Sequence, residues 1–159
     1  MASTQVKVEH VNPFIVSTME TFEKMIGMQA KPGKPQLKKG SGSDYDITGI
    51  IGISGGAKGM VSLSFPRASA IAITNKFVGI ESADLNKDVV DAIGELANIV
   101  AGYAKRGLSE FNISISLPSV ILGAGHQVME PKDVFSFIVP FETPAGGFHL
   151  AVSLKSVDA

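Results

Sequence analysis

Residues 46–65 read DITGIIGISGGAKGMVSLSF, two apolar runs around a glycine cluster. The cluster decides the fold. If it opens a helix, it reads as a phosphate-cradling loop. If it turns the chain back into a strand, the sheet is antiparallel. A phosphate loop needs G-x-x-x-x-G-K-[ST]. Here Ala57 stands where the second glycine is required, and Lys58 is followed by Gly59. The residues that follow, MVSLSF, have strand character. We read DITGIIGI and MVSLSF as strands joined by the turn SGGAKG.

Working outward, NPFIVSTMETFEKMIGM predicts a first helix. Asn12 suits its N-cap, Pro13 its first position and Gly27 its end. Phe14, Ile15, Met19, Phe22, Met25 and Ile26 recur at helical spacing. KPGKPQLKKGSGS reads as a solvated loop. PRASAIAITNKFVG predicts a short helix between Pro66 and Gly79. SADLNKDVVDAIGELANIVAGYAKRG predicts a long one, with Asp84 as N-cap, Gly107 as stop, and Lys105 and Arg106 favouring its C-terminal dipole. NISISLPSVILG, DVFSFIVPF and GFHLAVSLKSV are three further strands, with Pro118 marking an edge, a bulge or a break. Phe135, Phe137, Val139 and Phe141 alternate, as do Phe148, Leu150, Val152 and Leu154, so each strand buries one face. The order α-β-β-α-α-β-β-β predicts an α+β fold, an antiparallel sheet with long helices packed on one face.

The chain of 159 residues, 45% apolar and 18% charged, suits a single domain spanning 1–159. Its net charge of −1 argues against nucleic acid, and the absence of tryptophan against stacking platforms. With no cysteine there are no disulfides, thiolate nucleophiles or cysteine metal sites, which suits a reducing cytoplasm. No apolar run approaches the ~20 residues of a membrane span, and MASTQVKVEH has no apolar core of a signal peptide.

The long helix carries the candidate site. At 100° per residue, Leu85, Val89, Ala92, Ile93, Leu96, Val100 and Tyr103 share one side. Asp88, Asp91, Glu95, Asn98, Gly102 and Arg106 share the other. A solvated outer face accounts for the acids. It accounts poorly for Asn98, which competes with the helical backbone, and for Gly102, which costs about 1 kcal/mol relative to alanine. Glu95 and Asn98 are neighbours about 4.5 Å apart along the axis. Gly102 leaves room for another surface to approach. An amide is no general base, but it can orient a water, and a glutamate can anchor a cation on a partner. Such a face has no nucleophile, metal cluster or strong base, and makes sense as a site if another protein supplies the electrophile and the metal. The histidines His10, His126 and His149 are scattered, and no G-x-S-x-G elbow occurs, which argues against a self-contained hydrolase.

With Glu95, Asn98 and Gly102 in GELANIVAG, the chain resembles the CheC/CheX/FliY family of response-regulator phosphatases, in its CheX-like form. MIGMQAKPGKP, GIIGISGGAKGMVSLSF and FHLAVSLKS agree in order. The resemblance implies hydrolysis of the aspartyl phosphate of a CheY-type response regulator. Asn98 would orient the attacking water and Glu95 would pair with the receiver's lysine, with Asp91 and Gly102 in the partner-binding face. It implies Mg²⁺ on the receiver, no cofactor in this chain, and a homodimer formed through the sheets. A second E-x-x-N, common in CheC-type members, is missing from the first helix, where Glu20 is followed by Thr21, Phe22 and Glu23. The alternative on the same fold is a receiver-binding adaptor without catalysis.

Overall fold

A computed structural model describes residues 8–37, 45–126 and 136–157. Phe135 and the KKGSGS part of the lysine-rich loop lie outside the described residues.

The first helix, α1, runs Val8–Thr21 and continues as a wide π-helical turn, Phe22–Ile26. Gly27 closes it in the left-handed conformation, φ 76°, as expected of a C-terminal glycine. The start differs from the sequence expectation. Asn12 is no cap, and Pro13 lies inside the helix. Its ring packs on Gly107 at the far end of the long helix, where a Cβ would stand 2.9 Å from Pro13 Cβ. This tertiary contact goes with a proline that local rules would place at a helix start.

The inward stripe of α1 also differs. Met19 and Met25 are 37% and 44% exposed, while Ser17, Thr18 and Thr21 are buried. Hydroxyls can go inside because each finds a carbonyl. Thr18 donates to Phe14 O and Thr21 to Ser17 O, both at 2.7 Å, and Ser17 reaches across to Val100 O at 2.6 Å.

Two short strands follow, β1 (Lys31–Pro32) and β2 (Gln36–Leu37), in a stretch read from sequence as loop. Then come β3 (Ile47–Gly55) and β4 (Ala57–Phe65), antiparallel, with Ile47 opposite Phe65 and Ile53 opposite Gly59. The hairpin is tighter than SGGAKG implied, since Ala57, Lys58 and Gly59 belong to β4. Gly55 adopts φ 104°, and a Cβ on Gly56 would fall 2.0 Å from Phe111 O, so only glycine fits this turn.

Helix α2 spans Arg67–Val78, after Pro66 and before a left-handed Gly79. Helix α3 spans Lys87–Arg106. Its cap is Asn86, which accepts from Val89 N, and not Asp84. Asp84 is engaged by the Arg67 guanidinium instead. A 3₁₀ turn, Ser109–Phe111, leads into β5 (Ile113–Ile115) and β6 (Ser119–Leu122). The strand read as NISISLPSVILG is therefore two, broken ahead of Pro118, and both pair with β3. The last strands are β7 (Ser136–Thr143) and β8 (Gly146–Ser156).

The described strands form one antiparallel sheet ordered β1-β7-β8-β4-β3-β5, with β2 on β7 and β6 on β3. One face carries Ile47, Ile51, Val61, Leu63, Phe65, Val139, Phe141, Phe148, Leu150 and Val152, all buried against the helices. Phe148 stacks with Phe22, Phe65 and Phe141 at centroid distances of 4.8–5.1 Å, joining α1 to three strands. The fold is α+β with an antiparallel sheet, as the strand alternation predicted. Among the described residues no helix is long and apolar enough to cross a membrane.

Candidate functional site: the outer face of α3

Apolar residues recurring every three to four positions make α3 amphipathic, and the sheet beneath it explains its position. Val89, Ile93, Leu96 and Val100 are fully buried. At the crossing with β3, Gly49 lets the helix come close, since a Cβ there would stand 3.1 Å from both the Ile93 carbonyl and its Cγ2. Gly94 does the same toward β6, where Val120 and Pro118 come to 3.3 and 3.6 Å of a would-be Cβ. Gly94 is a second glycine in mid-helix, visible in the sequence, but its use depends on a strand more than twenty residues away.

With one side clamped, the opposite side is fixed outward. Asp88, Asp91, Glu95 and Arg106 are exposed, and Asn98 and Gly102 are half-buried. Asp91 binds Lys87 one turn back at 2.9 Å. That hydrogen bond, reinforced by charge attraction, raises the Lys87 ammonium above its ordinary pKa. Arg106 lies over the Tyr103 ring at 4.9 Å. Glu95 and Asn98 differ from these neighbours. Among the described residues neither side chain has a hydrogen bond or ion pair. The Asn98 amide reaches solvent, since His149 Nδ1 is the one buried side-chain polar atom left unpaired among those described. Beside them, a Cβ on Gly102 would meet nothing within 4 Å. No contact within the described chain requires glycine at 102.

The arrangement offers a carboxylate and an amide one turn apart, with a gap a turn further on. It can hold a cation and orient a water. Among the described residues no group of three or more His, Asp or Glu is placed to hold a metal. The histidines do not join the site. His10 meets Phe111 edge-on. His126 bonds Thr48 Oγ1 and Gly123 O, and His149 lies against Tyr45, both away from α3. Burial lowers the pKa of His149.

Residues 47–142 match the family described as Chemotaxis phosphatase CheX. The chain belongs to the CheX family. The CheY-P phosphatase CheX of Thermotoga maritima is 31% identical over 116 residues, covering 71% of this chain and 75% of that protein. The crystal structure of the chemotaxis protein CheX from Desulfovibrio desulfuricans superposes with a TM-score of 0.85 at 32% identity, covering 92% of this chain and 99% of that one. At 22% identity, the Borrelia burgdorferi chain crystallised as a CheX–CheY–BeF3–Mg²⁺ complex shares the fold, with a TM-score of 0.80 and coverage of 93% and 99%. The CheX-family match spans the hairpin, α2, α3 and most of β7, and so contains the whole outer stripe of α3.

Proposed function

We propose that this chain hydrolyses the aspartyl phosphate of a CheY-type response regulator, using Asn98 and Glu95 of α3. The observation that supports this reading is the pair of unpartnered side chains on a clamped helix, next to an open glycine, in a chain of the CheX family. In the reaction, a water oxygen attacks phosphorus, and the proton it sheds passes to a phosphoryl oxygen, since an amide takes none. The bond from phosphorus to the aspartyl oxygen breaks, its electron pair returns to the carboxylate, and inorganic phosphate leaves. Phosphoryl transfer of this kind depends on positioning and charge stabilisation more than on covalent help from the protein. The Asn98 amide accepts from the attacking water and fixes its line of approach. Glu95 pairs with the receiver's lysine and sets the register of docking. Asp91 and Gly102 extend the contact along the stripe. Mg²⁺ belongs to the receiver, where it neutralises charge on the phosphoryl oxygens. The working form we propose is a cytoplasmic homodimer joined through its sheets.

Incubating the protein with phosphorylated receivers and following phosphate release tests the activity. Binding without release would make the chain an adaptor. The docking face has its own test in Gly102→Leu. Leucine is the better helix former by roughly 0.5–1 kcal/mol, and space is open around residue 102. The melting temperature should therefore hold or rise, while phosphatase activity falls at least tenfold because a receiver can no longer sit close. Full activity in a stable Gly102→Leu protein would remove the docking face from α3.

A further inference from the structure

β5 and β6 pair with different stretches of β3, and residues 116–118 bridge them. The bridge is held on two sides. Ser116 N donates to Gly52 O at 2.9 Å, Gly52 N donates back to the Ser116 hydroxyl at 2.8 Å, and that hydroxyl donates to Leu117 O at 2.8 Å. Next along the chain, Pro118 rests on Gly94 of α3. Between these clamps stands Leu117, 86% exposed, more than any other large apolar residue described.

A single exposed leucine is ordinary on a protein surface. The position of this one is not. Its neighbour Pro118 touches α3 one helical turn before Asn98, about 6 Å along the axis. A standard interface covers about 800 Å² on each partner, a patch roughly 30 Å across. A receiver seated with its phosphoryl group over Asn98 therefore extends over the bridge. Most of the binding free energy in such patches comes from a few well-packed anchors. A side chain presented from a fixed backbone loses less freedom on docking than one on a mobile loop. The outer stripe of α3 offers charge and an amide but no large aliphatic group. Leu117 provides one beside it.

We propose that Leu117 is the apolar anchor of receiver docking, setting affinity and choice of receiver while Asn98 and Glu95 serve the chemistry. The partner surface it fits is an apolar hollow beside the phosphorylated aspartate of a CheY-type receiver. This inference rests on the phosphatase reading above.

The test compares Leu117→Ser and Leu117→Met in the full chain. Phosphate release is measured against phosphorylated receiver concentration, and solution mass is measured alongside. Leu117→Ser should raise KM about tenfold with kcat within twofold. Leu117→Met, which keeps an apolar side chain of similar size, should stay close to wild type. An unchanged KM in Leu117→Ser overturns the proposal, as does a fall in kcat alone. A change in solution mass assigns the leucine to self-association and overturns it too. If the wild-type chain neither binds nor dephosphorylates a receiver, the phosphatase reading fails and this inference with it. If the wild type is active and Leu117→Ser is indistinguishable from it, only the anchor is lost.

Discussion

Asn98→Ala is expected to lower phosphatase turnover by about 100-fold or more, with the fold intact. Removing one preorganised polar group from a reacting centre costs on the order of 10²–10³ in rate. The Asn98 side chain is bonded to nothing else among the described residues, so its loss orphans no partner. Alanine is also the better helix former, so thermal stability should hold or rise slightly. The decisive measurement is kcat at saturating phosphorylated receiver, with a melting curve from the same preparation. Turnover near that of the wild type would end the assignment of the water-orienting role to Asn98.

Phe148→Ala should do the reverse, leaving the site chemistry alone and weakening the molecule. Phe148 is 1% exposed and stacks on Phe22, Phe65 and Phe141, with the Phe141 ring 4° from parallel. Truncating a buried phenylalanine costs roughly 3–5 kcal/mol, a large share of the 5–15 kcal/mol typical of a domain. At about 2–4 °C per kcal/mol for a chain near this size, the melting temperature should fall by about 10 °C. The urea midpoint should drop with little change in slope. A loss below about 1 kcal/mol would show that the cavity closes and that the four rings are not the keystone between α1 and the sheet.

Much of the architecture is legible because it rests on local rules. The glycine turn at 55–56 and the alternation of residues 148–154 specify an antiparallel hairpin and its buried face without knowledge of any partner. The long helix is legible from its stripe, and so is the outward placement of Glu95, since spacing alone decides which side a residue takes. The misreadings have a common cause. Asp84 and Asn86 are equally good caps by composition, and the choice follows from Arg67, which takes Asp84 as its partner. Pro13 reads as a helix start until Gly107 opens a place for its ring. Met19 and Met25 read as core because they are apolar, yet Ser17, Thr18 and Thr21 go inside once carbonyls receive their hydroxyls. At the site, the stripe could be read from the sequence but the clamp could not. Gly49, Gly94 and Pro118 come together only in the folded sheet. Leu117 has no local feature to set it apart from the apolar residues around it.

The burial of α3 has a kinetic consequence. Glu95 and Asn98 stand on a stretch whose inward neighbours Ile93, Leu96 and Val100 are completely enclosed. Unwinding that stretch would pull all three out of the core, so its opening free energy approaches that of the whole domain. Backbone amides there should trade their hydrogens for deuterium only when the entire molecule opens. The backbone positions of Glu95 and Asn98 are thus set before any encounter. For this side of an encounter the helix backbone is ready-made, and docking without a conformational change runs at about 10⁵–10⁷ M⁻¹s⁻¹.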